Sequence, residues 1–200
     1  MSGRGGTSGV GVSSYFSGGM ILDLGQLNDD LPLIPSSQGK GTGIPTVLPA
    51  LRMPQWPLCV CVPLTIRPKN QAEEIEFFKR STPLDATDSY RACYEAVFGI
   101  YGSVKDRDYP AFCRAINSMQ ETAWKTLERR EYGKSLQALA TEVLALGVDC
   151  LGMSSLGPLL FCFASPNVLD ALAEREASLN CRIVRTLPGN SGRVLSRLSR

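Results

Sequence analysis

Six prolines, at positions 32, 35, 45, 49, 54 and 57, deny the stretch between residues 32 and 57 any long helix or central strand. Each fixes its own φ and removes a backbone donor, interrupting a helix or a hydrogen-bonded ladder. The region from residue 1 to 57 also holds 11 of the 19 glycines and only six charged residues. Beyond Trp56-Pro57 charges return in periodic patterns, so we divide the chain into a glycine-rich unit 1–57 and a patterned unit 58–200.

In the first unit, Val10-Gly11-Val12-Ser13-Ser14-Tyr15-Phe16 and Met20-Ile21-Leu22 flank Ser17-Gly18-Gly19, which predicts a β-hairpin. A hairpin and a loop bury too little surface to offset their own chain entropy and need cover from elsewhere. No strand precedes the glycine run, so part of a sheet is expected to be missing from this chain or supplied by a partner.

The second unit reads as alternating strands and helices. Cys59-Val60-Cys61-Val62-Pro63-Leu64-Thr65-Ile66 is strand-like, with Pro63 predicting an edge position or a bulge. Asn70 with Glu73 predicts a capping box for a helix ending near Arg80. Cys93, Ala96, Val97 and Ile100 supply the buried face of a second helix. Asp108-Tyr109-Pro110 starts a third, with the stripe Phe112, Ile116, Met119, Ala123, Leu127 running to about Arg130. Leu136, Leu139, Ala140, Val143 and Leu144 line a fourth, which Gly147 ends. A buried strand at 159–164, a helix from Ser165-Pro166 and an alternating strand at 181–186 complete an α+β sandwich, helices over an antiparallel sheet.

A net charge of +2 is too small for a nucleic-acid surface, and no apolar run reaches the roughly 18 to 20 residues of a membrane helix. The glycine-rich start is unlike a signal peptide, so a cytoplasmic protein is expected. The seven cysteines, at 59, 61, 93, 113, 150, 162 and 181, lack metal-site clustering and read as buried thiols. With no histidine, chemistry must rest on carboxylates, amides, hydroxyls, backbone N–H groups and cations.

Four segments offer such groups. Gly3-Arg4-Gly5-Gly6-Thr7-Ser8-Gly9-Val10-Gly11 can converge backbone N–H groups on an anion, with Arg4 adding a charge and Thr7 and Ser8 adding hydroxyls. Gly152-Met153-Ser154-Ser155-Leu156-Gly157-Pro158 is a tight loop between a helix and a strand, where a backbone can approach a ligand. Asn117, Gln120 and Trp124 share one helix face at i, i+3, i+7. Asp23 sits at the end of an apolar run. Read singly, these are equally a flexible terminus, a turn, solvated amides and a strand-end residue.

In order and spacing, Gly3 to Val12, Gly18-Gly19-Met20-Ile21-Leu22-Asp23, Arg114-Ala115-Ile116-Asn117-Ser118-Met119-Gln120 and Gly152 to Pro158 resemble the signature of beta-ribofuranosylaminobenzene 5'-phosphate synthases. The resemblance spans nearly the whole chain, and implies a GHMP kinase-like fold with only part of its amino-terminal β domain. It implies a transferase that joins C1 of phosphoribosyl pyrophosphate to the ring of a 4-substituted benzoate, releasing pyrophosphate and carbon dioxide, on the way to methanopterin-type cofactors. Under it Arg4, Asp23 and Gln26 are catalytic. Gly3, Gly5, Gly6, Thr7, Ser8, Gly9, Asn117, Gln120, Gly152, Ser154, Ser155 and Gly157 hold substrate or phosphate.

Mg²⁺ and no organic cofactor, a sugar phosphate and an aromatic acid as ligands, and a homodimer are further expectations of the resemblance. The family reads Asp-Gly-Gly-His where this chain has Asp23-Leu24-Gly25-Gln26, replacing a titrating group by an amide. The alternatives are an ATP-dependent small-molecule kinase of the same fold and an inactive fragment or paralogue.

Overall fold

The computed structural model describes residues 9–25 and 45–194. Gly3, Arg4, Gly5, Gly6, Thr7, Ser8 and Gln26 lie outside the described residues. Two compact units divide the chain. One contains the described residues up to 54 together with 188–194, and the other is Gln55–Leu187. The carboxy-terminal residues thus belong with the first unit, not with the patterned one.

In the larger unit, β1 (Leu58–Pro63), β2 (Cys150–Met153), β3 (Leu160–Phe163) and β4 (Cys181–Thr186) form an antiparallel sheet in the order β2-β3-β1-β4. β1 is therefore internal, in contrast to the expected edge or bulge. Its proline is tolerated because Pro63 is the last residue of the strand, opposite Cys181. Cys59, Cys61, Cys162 and Cys181 are fully buried in the sheet and join one core with Leu136, Leu139 and Val143 of α7 (Gly133–Ala145) and Leu169 and Leu172 of α8 (Pro166–Glu174). Leu144, expected on the same buried stripe, is exposed.

The helix starts follow local chemistry. α2 (Gln71–Ser81) opens on a complete capping box, with Glu73 N–H donating to Asn70 Oδ1 at 3.1 Å and Asn70 N–H donating to Glu73 Oε2 at 2.8 Å. Asp85 caps α3 (Ala86–Tyr94), which continues through a π-helical segment (Glu95–Tyr101) into α4 (Gly102–Asp106). Cys93, predicted buried on this helix, is exposed. Gly99 packs directly on Ala115, where an added Cβ would come within 2.8 Å of the Ala115 methyl.

Asp108 accepts the Ala111 N–H at 2.9 Å to start α5 (Tyr109–Gln120), with Pro110 in its first turn. The predicted long third helix is two helices. Buried Thr122 turns its hydroxyl onto the Met119 carbonyl at 2.8 Å and opens α6 (Ala123–Arg130) in extended conformation. The apolar stripe runs across this break without a change of period, which is why it reads as continuous. Gly147, at φ +85, ends the turn after α7 as expected.

In the smaller unit the predicted hairpin is absent. Residues Gly9–Ser17 form helix α1, and Met20 and Asp23 make isolated antiparallel bridges with Leu51 and Val47. Gly18 and Gly19, at φ +65 and +71, leave the helix through conformations that side chains avoid. The Asn190 amide ties the backbone of Met53 on both sides, at 2.7 and 2.8 Å, and the Arg193 guanidinium lies over the rings of Tyr15 and Phe16. Among the described residues no helix is long and apolar enough to cross a membrane.

Candidate functional site

The glycine run enters the described structure at Gly9, the first residue of α1. Its N–H donates to Asp23 Oδ2 at 2.8 Å, and the other Asp23 oxygen accepts the Gly25 N–H at 2.8 Å. An acceptor here satisfies one of the backbone donors that every helix leaves unpaired at its start. Only glycine fits: a Cβ on residue 9 would lie 2.6 Å from Val47 Cγ2 and 2.8 Å from Asp23 Oδ2. Asp23 thus acts through the backbone, holding the first described turn of α1 to the backbone at Gly25.

The second group gathers around β2 in the larger unit. Among the described residues β2 pairs with β3 alone, so the backbone groups of its other edge have no strand partner. Asn117 Oδ1 accepts the Leu151 N–H at 3.2 Å and its Nδ2 donates to the Asp149 carbonyl at 3.1 Å. One turn on, Gln120 Oε1 accepts the buried Met153 N–H at 3.2 Å. The i, i+3 spacing on α5 thus matches alternate residues of a strand, and the two amides replace a missing neighbour strand. Trp124, placed with them by periodicity, instead stacks on Phe78.

Gly152 lies between these two anchored residues and belongs to β2, not to the loop that its sequence suggests. A Cβ there would run into the Phe161 ring across the strand pair. Beyond β2, Ser154 N–H donates to the Leu159 carbonyl and Gly157 N–H to the Ser154 carbonyl, both within 2.9 Å. Gly157 has φ +75, and a side chain there would meet Met153 Sδ at 2.5 Å and the Tyr132 ring at 2.9 Å. The hydroxyl-bearing residues Ser154 and Ser155 are exposed on this turn.

Two residues that sequence reasoning missed hold the turn in place. Lys125 Nζ donates to the carbonyls of Met153 and Ser155, both at 3.0 Å, and ion-pairs with buried Glu128. Tyr132 donates its hydroxyl to the Leu156 carbonyl at 2.6 Å. Burial pushes both the Tyr132 phenol and the Glu128 carboxyl above their ordinary pKa, so Tyr132 stays a donor. The signal was weak: a lysine and a glutamate at i, i+3 normally read as a solvated pair. Gly9 and Asp23 therefore meet in one unit, and Asn117, Gln120, Gly152, Ser154, Ser155 and Gly157 cluster in the other.

The sequence is 28% identical over 176 residues to the beta-ribofuranosylphenol 5'-phosphate synthase of Methanothermobacter thermautotrophicus, covering 86% of this chain and 54% of the relative. The enzyme of the same name from Archaeoglobus fulgidus is 28% identical over 198 residues, covering 95% and 60%. The chain is thus similar in sequence to beta-ribofuranosylphenol 5'-phosphate synthases. It spans between 52% and 60% of the length of these relatives. No family model matches it.

Solved structures place it on the GHMP kinase fold. Homoserine kinase from Cytophaga hutchinsonii aligns with a TM-score of 0.55 at 14% identity, over 74% of this chain and 46% of the kinase. The L. major mevalonate kinase solved with R-mevalonate aligns with a TM-score of 0.56 at 14% identity, over 76% and 48%.

Proposed function

We propose that this chain contributes a phosphate-binding loop to phosphoribosyl transfer onto an aromatic acid. The observation that carries the reading is the Asp23 clamp on Gly9, which holds the first described turn of α1, next in sequence to the glycine run. A glycine-rich turn feeding a helix start aims backbone N–H groups at an anion, and the helix field favours negative charge there. The diphosphate of phosphoribosyl pyrophosphate is such an anion. The relatives' name supports a ribosyl 5'-phosphate product, and its phenol makes 4-hydroxybenzoate the first acceptor to try, ahead of 4-aminobenzoate.

In the proposed reaction the C1–oxygen bond of the sugar breaks and its electron pair leaves with pyrophosphate. The ring carbon bearing the carboxylate bonds to C1, and the carboxylate leaves as carbon dioxide, its electron pair restoring the ring. N–H donors fixed before the leaving-group charge develops lower the barrier most; the Gly9 N–H is itself spent on Asp23, so the clamp holds the backbone there while Gly5, Gly6, Thr7 and Ser8 would supply the donors to the diphosphate. Arg4 would meet the departing diphosphate, and Gln26, an amide, can orient an acceptor but cannot titrate. Mg²⁺ is proposed only as counter-ion of the diphosphate. Among the described residues no three His, Cys, Asp or Glu side chains form a metal cluster, and no step above passes through the metal.

Phosphoribosyl pyrophosphate with Mg²⁺ should raise the melting temperature more than ATP with Mg²⁺ does, because a ligand that binds only the folded state stabilises it by mass action. Arg4→Ala should reduce that rise. The second reading is an ATP-dependent small-molecule kinase, since homoserine kinase and mevalonate kinase share the fold. A larger rise with ATP, or ATP turnover on a small alcohol, would decide for it.

A further inference from the structure

Within the smaller unit, residues 188–194 form no helix or strand, yet they cross the end of α1 at backbone distance. Two glycines make the crossing possible. A Cβ on Gly18 would lie 2.6 Å from the Ser191 backbone, and one on Gly192 would lie 1.8 Å from the Phe16 carbonyl oxygen. Neither chain has room for a side chain there. Beside the crossing, the Gly19 N–H donates to the Gly189 carbonyl at 2.8 Å.

An anchor stands on each side. Asn190 accepts the Met53 N–H at 2.7 Å and donates its amide to the Met53 carbonyl at 2.8 Å. The Arg193 N–H donates to the Tyr15 carbonyl at 2.8 Å, meeting one of the acceptors that a helix leaves unpaired at its end. Its guanidinium lies 4.5 Å from the Phe16 ring centre and 5.5 Å from that of Tyr15, rings that are 56% and 55% exposed. The cation also suits the negative end of the helix field.

We infer that segment 188–194 is a clasp on helix α1 that opens and closes as one unit. None of its residues is buried, so it is held by exposed hydrogen bonds and one cation over two rings. Segments held in that way open well below the free energy of global unfolding. The two anchors lie three residues apart across a crossing without side chains, so releasing one lifts the backbone that carries the other. A ligand that orders α1 from its amino-terminal end and the closed clasp favour each other equally. That consequence rests on the phosphate-loop reading, whereas the clasp itself does not.

The test is hydrogen exchange at the Gly19, Met53 and Arg193 amides of the full 200-residue chain. Arg193→Ala should accelerate exchange at Met53 and Gly19 at least about fivefold, and Asn190→Ala should do the same at Arg193, although neither variant removes those hydrogen bonds. Gly192→Ala, which drives a methyl into the Phe16 carbonyl, should accelerate all three and leave β1 and β3 unchanged. Inorganic pyrophosphate with Mg²⁺ should bind the parent at least about fivefold more tightly than it binds Gly192→Ala. Acceleration confined to the substituted anchor's own contact, unchanged exchange in Gly192→Ala, or equal measurable pyrophosphate affinities would each overturn the inference. A parent that shows linked exchange but binds no pyrophosphate keeps the clasp and removes the phosphate-loop reading instead.

Discussion

Asp23 accepts the backbone N–H of Gly9 through one carboxylate oxygen and that of Gly25 through the other, each at 2.8 Å. A single side chain thereby joins the end of the glycine run to the turn that follows the Met20 bridge. Asp23→Ala removes both acceptors at once. It should cost about 0.5–2 kcal/mol, the usual value of a helix cap, and speed hydrogen exchange at the Gly9 amide. Asp23→Asn, which keeps one oxygen, should fall between. Unchanged exchange at Gly9 in the alanine variant would show that the clamp does not hold the helix start.

Gly152→Ala should destabilise the larger unit by about 1–3 kcal/mol, the range for overpacking a closed core. The new methyl would occupy the space of the Phe161 ring. Shortening the partner by Phe161→Leu should return part of that loss in the double variant, because the two sites share one contact. Additive losses in urea unfolding would place the cost elsewhere.

The amides of α5 are expected to matter as strand partners. Asn117→Leu and Gln120→Leu each strand a β2 N–H, costing about 1–3 kcal/mol apiece, the penalty for a buried donor left unpaired. Exchange at the Leu151 and Met153 amides, respectively, should accelerate while that of β1 stays slow. If both variants keep full stability, the pairing with β2 is incidental.

How far the sequence could be read depended on whether the deciding contact was local. Asn70 and Glu73 satisfy each other within one turn, and Asp108 with Pro110 does the same, so both helix starts were legible. The helix of residues 9–17 was not. Gly9, Val10, Gly11 and Val12 are poor helix formers, and the acceptor that ties its first N–H, Asp23, lies 14 residues away. The spacing of Asn117 and Gln120 singled them out, but their role needed the knowledge that β2 is an edge strand of only four residues. Gly152 was expected in a loop whose backbone approaches a ligand, whereas it lies in β2 against the Phe161 ring. Lys125 gave only the weak signal of its i, i+3 pair with Glu128, since nothing in a helix sequence says that a lysine will meet two carbonyls some thirty residues on.

The last prediction concerns Glu128, which is 4% exposed as a side chain and paired with Lys125 on the same helix. Burial raises its carboxyl pKa above the ordinary 4.5, and the Lys125 ammonium offsets that only in part. A carboxyl whose pKa is higher folded than unfolded favours the folded state while protonated. Its contribution is fully present below 4.5 and is lost as the pH rises through the folded-state value. Glu128→Gln cannot ionise, and Lys125 keeps its carbonyl acceptors at Met153 and Ser155. The stability difference between the glutamine variant and the parent should therefore shift in favour of the variant between about pH 4 and about pH 7. Urea midpoints for both proteins across that range measure it. A difference that stays flat, or moves toward the parent as the pH rises, would mean that Lys125 outweighs the burial of the carboxylate.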